Sequence, residues 1–224
     1  MLARRPLAAA ATVMTAALLA LTALSGCAAA SAASNAVTTA ASTSPTAEHV
    51  VVIGDSIESG LGLEPAEAWP ALLASAHGWR LDNLSEPGAG FVAPGPDGDN
   101  FSAQVDRAIA LKPQLVFIGA SDNDLDSDGA QVAAAMRQAV QRLSAALPGT
   151  RLIAFNALSG AAGDDELSGV NTSLQQAVLA AGGTWLDLGQ PYRGQAGLVQ
   201  DDGEHPTLPG QQAIAATVAA KLEL

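Results

Sequence analysis

The sequence predicts an α/β protein, a three-layer α/β/α sandwich on a five-stranded parallel sheet. Two observations carry that prediction. Short apolar, mostly β-branched runs alternate five times with longer helical patterns, which is the signature of strands joined by crossover helices. Three of these runs, HVVVIG (49–54), QLVFIGA (114–120) and RLIAFNA (151–157), are nearly continuous in apolar residues, as strands covered on both faces must be.

Taken in order, the first strand spans 49–54 and is followed by a helical pattern over 66–76. RLDNL (80–84) is the second strand, leading to a helix over 101–111. The third strand, 114–120, precedes a helix over 130–147, and the fourth, 151–157, precedes one over 166–181. That helix carries SLQQAVLAAGG, whose two glycines supply a stop. TWLDL (184–188) is the fifth strand, and the last helix runs over 209–222. In such a sheet, ligands bind outside the carboxyl ends of the strands, so the residues just past each strand are the ones to examine.

Composition narrows the function. Nearly half of the 224 residues are hydrophobic, many of them Ala, and the formal charge is −12. Two of the ten basic residues, Arg4 and Arg5, precede Cys27; beyond it eight basic residues face all 22 acidic ones, a charge of −14. That surface repels phosphate backbones and excludes nucleic acid as a partner. It also opposes electrostatic attachment to anionic lipid.

The first residues, MLARRPLAAAATVMTAALLALTALSGC, place two arginines before an apolar run from Leu7 to about Leu24. That is an export signal rather than a membrane span, for which the run is near the minimum length. Leu24-Ser25-Gly26-Cys27 resembles the lipobox of bacterial lipoproteins, and the resemblance implies that Cys27, the single cysteine, is diacylated and becomes the mature N-terminus. A domain without other thiols suits an oxidising exterior. Residues 1–26 are thus expected to be a signal peptide. Residues 27–48, rich in Ala, Ser and Thr, follow as a lipidated Cys and flexible tether, and 49–224 form one domain. The location implied is the cell envelope, on the extracytoplasmic face.

Four segments stand at the strand ends or before the last helix. GDSIESG (54–60) puts Ser56 at a strand-to-helix turn, where it is either an N-cap or a nucleophile whose N–H sits at a helix start. NLSEPG (83–88) ends in a Pro-Gly turn. SDNDL (121–125) follows the third strand. DGEHP (202–206) puts His205 three residues after Asp202, the pairing that fixes an imidazole as a general base. His49 opens the first strand and His77 ends a helix, so neither suits that work.

These segments resemble, in order, blocks I, II, III and V of the SGNH (GDSL-type) hydrolases, over the whole domain from about Val50. The resemblance implies the flavodoxin-like fold of that family and a serine esterase needing no cofactor or metal, acting as a monomer on a small ester. It casts Ser56 as nucleophile, His205 as base and Asp202 as its orienting carboxylate. The Ser56 N–H, the Gly88 N–H and the Asn123 side-chain amide would form the oxyanion hole. A serine hydroxyl needs a base to take its proton, and the tetrahedral oxyanion needs fixed donors. Block III departs from the family's Gly-x-Asn-Asp, with Ser121 in the glycine position, so a shifted reading would make Ser121 the donor. Pro87 could tilt the Gly88 donor. Short acyl or acetyl esters are the expected substrates, with a lysophospholipase or thioesterase as the alternative and a non-catalytic binding module as a further one. Phe91, Leu125 and Leu198 are candidates to line an acyl pocket. DLDSDG (124–129) also opens like a calcium loop, but position twelve, where a bidentate Glu is required, is Ala135.

Overall fold

A computed structural model describes residues 47–224; the expected signal peptide, Cys27 and nearly all of the tether lie outside these residues. The chain alternates β1 (His49–Ile53), a single-turn α1 (Ser56–Ser59), α2 (Trp69–His77), β2 (Arg80–Asn83), α3 (Phe101–Leu111), β3 (Leu115–Gly119), α4 (Gly129–Ala146), β4 (Arg151–Phe155), α5 (Asp164–Ala180), β5 (Thr184–Leu186) and α6 (Leu208–Leu222). Two 3-10 turns, Pro65–Glu67 and Asp122–Asp124, lie between them. The five strands pair in parallel in the order β2-β1-β3-β4-β5.

The strand pattern explains the layers. Along β1, Val51 and Ile53 join one buried cluster while Val50 and Val52 join the other, because successive side chains point to opposite faces. In β3, which pairs Val50 with Leu115 and Ile53 with Ile118, the same division recurs. The first cluster takes Phe101 and Val105 of α3, Met136 and Val140 of α4, and Leu167 and Leu174 of α5. The second takes Trp69 and Leu73 of α2 with Ile214 and Val218 of α6. Trp69 meets Phe117 and Phe155 edge-to-face, with ring centroids 5.9 and 5.7 Å away. Burying side chains of this size contributes about 1.5–3 kcal/mol each. The sheet is thus sandwiched between three helices and two.

The helix expected over 66–76 is instead a 3-10 turn followed by α2, with Ala68 extended between them. Pro70 explains the break: proline is tolerated only in a helix's first turn, and α2 begins one residue earlier. Glu67 closes the 3-10 turn by accepting the Glu64 N–H at 3.0 Å.

Candidate active site

Ser56 is the first residue of α1, directly beyond β1, and Asp55 takes the capping role. Asp55 Oδ1 accepts the Ile57 N–H at 2.9 Å, and Glu58 Oε2 accepts the Asp55 N–H at 3.1 Å. This is the capping box shifted one residue ahead of Ser56, and it frees the serine hydroxyl from capping. Asp55 and Glu58 are both buried. Burial first, then the charge of Glu58, pushes the Asp55 carboxyl well above its ordinary range, and burial raises Glu58 as well.

Two glutamines hold this turn from behind. Gln104 of α3 clamps Gly54, accepting its N–H at 3.0 Å and donating to its carbonyl at 2.9 Å. Gln211 of α6 donates to the Ile57 carbonyl and accepts the Trp69 N–H, both at 2.8 Å. Sequence reasoning passed over both. The signal was present, since each is a polar residue inside its helix's buried stripe, Gln104 beside Phe101 and Val105, Gln211 beside Ile214 and Ala215.

His205 arrives from the loop between β5 and α6. Its Nδ1 lies 2.7 Å from Asp202 Oδ2 and its Nε2 lies 3.0 Å from Ser56 Oγ. With Nδ1–H donating to the carboxylate, Nε2 is left to accept the serine proton. Asp202 Oδ1 also accepts the N–H groups of Glu204 and His205, at 2.9 and 3.0 Å. The hydrogen bond from His205, then those two N–H groups, hold the Asp202 carboxyl down at about 2, so it is ionised at any working pH. Asp202, His205 and Ser56 therefore stand in one hydrogen-bonded line.

The three expected oxyanion donors lie beyond the ends of β1, β2 and β3. Among the described residues no acceptor takes the N–H of Ser56 or of Gly88. Gly88 has φ +78° and Ala89 N–H donates to the Glu86 carbonyl at 3.2 Å. That is the Pro-Gly arrangement of a type II turn, which needs Gly at its third position, so Pro87 belongs to the turn. Asn123 Nδ2 donates to the Ala89 carbonyl at 3.2 Å and to Ser121 Oγ at 3.1 Å, both long bonds that an oxyanion can displace. Ser121 is fully buried, and its hydroxyl donates to Asp55 Oδ2 at 2.6 Å. Ser121 thus ties the asparagine's turn to the nucleophile's cap.

The remaining candidates separate. Phe91 is a core residue packed against Phe101, with centroids 4.8 Å apart and the ring planes inclined at 59°. Leu125 packs on the same cluster and Leu198 on the cluster across the sheet, so the three do not line one pocket. In the calcium-like segment, Asp124 accepts the N–H groups of Phe91, Val92 and Ala93 at 2.7–3.0 Å, and Asp128 caps α4 through Gln131. Among the described residues no group of three or more His, Cys, Asp or Glu is placed to hold a metal ion.

A parallel five-stranded sandwich with a serine, a histidine and an aspartate in line beyond its strands has the architecture of a serine hydrolase. The sequence matches the model of the GDSL-like Lipase/Acylhydrolase family over residues 52–213, most of the chain, and the protein belongs to that family of ester-hydrolysing enzymes. Solved structures share the fold. TesA is 24% identical, with a TM-score of 0.66 over 79% of this chain and 98% of its own. The psychrotrophic esterase EstA from Pseudoalteromonas sp. is 18% identical, at 0.63 over 79% and 97%. Axe2, an acetylxylan esterase from Geobacillus stearothermophilus, is 16% identical, at 0.63 over 79% and 94%. No curated protein matches the sequence.

Proposed function

We propose that the protein is a lipid-anchored serine esterase that hydrolyses short acyl or acetyl esters through an acyl-enzyme. The observation that carries this is the line from Asp202 Oδ2 to His205 to Ser56 Oγ, at 2.7 and 3.0 Å. Ser56 Oγ attacks the ester carbonyl as its proton passes to His205 Nε2. The oxyanion is held by the N–H groups of Ser56 and Gly88 and by Asn123 Nδ2, in a site where each donor contributes about 3 kcal/mol. His205 then gives the proton to the leaving alcohol, and water repeats the sequence to release the acid. Esterase relatives of this fold, the acetylxylan esterase among them, support the preference for small acyl groups.

The anchor is Cys27, which would hold the domain on the extracytoplasmic face. The test of the chemistry is Ser56→Ala. Hydrolysis of p-nitrophenyl acetate and labelling by an alkyl phosphonate, a class of reagent that inhibits the esterase EstA, should vanish together. Activity that survives this substitution removes the serine mechanism. Chain-length preference among p-nitrophenyl esters then separates the esterase from the lysophospholipase or thioesterase.

A further inference from the structure

The segment LVQDDGEHPT (198–207) folds back on itself around the histidine. Val199 bridges Pro206 in antiparallel pairing, the Thr207 N–H donates to the Leu198 carbonyl at 2.9 Å, and the Gln200 N–H donates to the His205 carbonyl at 2.7 Å. Asp202 and His205 therefore share one hairpin, and the bonds between them stay inside it. On one side Glu204 ties this hairpin to the loop after β4. Its carboxylate accepts the Gly160 and Ala161 N–H groups at 3.1 and 2.9 Å and the Ser159 hydroxyl at 3.0 Å. None of those partners belongs to the nucleophile's turn.

Gln200 supplies a link to that turn. Its Nε2 donates to the carbonyl of Pro206, the residue after His205, at 2.9 Å, and to the Leu61 carbonyl at 2.8 Å. Leu61 follows the cap of α1, and its own N–H donates to the Ser56 carbonyl at 3.0 Å. A primary amide carries two N–H donors on one planar nitrogen, and here each takes one carbonyl. Both partners only accept, which fixes the end of the amide that faces them. The approach is close. Gly62 has φ +86°, and a Cβ on it would lie 2.6 Å from Gln200 Oε1, so the turn requires glycine.

We propose that Gln200 is a positioning residue for Ser56 and His205. Its side-chain amide fastens the histidine's hairpin to the loop after the nucleophile, and so sets the 3.0 Å gap across which the serine proton passes. The proposal rests on the serine-esterase reading for the roles of those two residues. Gln200 acts through the backbone on either side of the gap. Proton transfer needs a heavy-atom distance of about 2.6–3.2 Å, and the observed gap lies near the upper end of that range. A small outward drift of the hairpin therefore ends the transfer. Without the amide, the Leu61 and Pro206 carbonyls have no common donor, and the hairpin keeps its Glu204 contacts while its serine side is released.

The experiment measures kcat and KM on p-nitrophenyl acetate from pH 5 to 9, the rate of labelling by an alkyl phosphonate, and the urea midpoint. The variants are Gln200→Ala and Gln200→Met, the second keeping the side chain's length without its N–H groups, and either suffices if the other fails to fold. Each should lower kcat by roughly 10²-fold, the scale of a misplacement of about 1 Å, with KM little changed. Labelling should slow in step, because it needs the same activated hydroxyl. In wild type and variants alike, kcat/KM should fall as pH drops through the imidazole range, because protonated His205 cannot accept the serine proton. That limb should keep its position, since Asp202 moves with His205. Wild-type kcat in either folded variant overturns the proposal. So does a loss of kcat accounted for by the unfolded fraction, which is a role in folding alone, or a raised KM with labelling unchanged, which is a contact to substrate. Activity surviving Ser56→Ala would instead overturn the serine reading, so the two failures are distinct.

Discussion

A hydroxyl has one proton, and at Ser121 it is taken by Asp55 Oδ2 at 2.6 Å, with the Ala89 carbonyl a more distant acceptor at 3.2 Å. The oxygen's remaining capacity accepts from the Asn123 N–H at 3.2 Å and from Asn123 Nδ2 at 3.1 Å. Ser121 therefore has nothing left to offer an oxyanion, whereas Asn123 is only partly buried and makes long, exchangeable bonds. Asn123→Ala should lower kcat by roughly 10²–10³-fold with little effect on folding, as for the loss of one oxyanion donor. Ser121→Ala should spare most of kcat but cost about 1–3 kcal/mol of stability, because a buried acceptor on Asp55 loses its donor. Paired urea titrations and kinetics on the two variants check both halves. A larger kcat loss in Ser121→Ala than in Asn123→Ala would reassign the donor.

The same division between holding and reacting recurs among whole elements. The long connection from β2 to α3 carries Gly88, and its middle is held by Asp124 from the 3-10 turn after β3. Three N–H groups converge on that carboxylate, and a Cβ on Gly90 would stand 2.6 Å from Asp124 Oδ1, so the close approach requires glycine. Hydrogen bonds to a charged group are worth about 1.5–3 kcal/mol each. Asp124→Ala should therefore cost about 3 kcal/mol or more and lower kcat by loosening the Gly88 donor; a wild-type urea midpoint would mean that the connection is held by other contacts. Little of this is legible in the sequence. The strands are, because unbroken Val/Ile runs admit few readings, and the observed strands fall within the expected spans. That Ser56, Asp202 and His205 come within hydrogen-bond reach was legible through the family resemblance of the short segments GDSIESG and DGEHP. Asp124 reaches partners 31–33 residues away and Glu204 reaches Ser159 across 45, and no local pattern encodes such pairings. The four-residue α1 is too short to show a helical period, so the shift of the cap from Ser56 to Asp55 stayed hidden.

For the molecule as a whole, the question is what would keep an acidic domain at a membrane. Beyond Cys27 the chain carries a charge of −14, which anionic headgroups repel, and among the described residues no helix is long and apolar enough to cross a bilayer. Neither charge nor a span within 47–224 can supply the attachment. The proposed anchor is Cys27, the single cysteine. One acyl chain gives only marginal binding, while two hold a protein stably, so the diacylated form meets the requirement without help from the domain. The family match begins at residue 52, well past Cys27, so removing the thiol leaves the catalytic domain intact. Cys27→Ala should move the protein from the membrane to the soluble fraction while kcat/KM on a soluble ester stays unchanged. A variant that remains membrane-bound with its leader uncleaved would show that the apolar run from Leu7 to about Leu24 is itself the anchor.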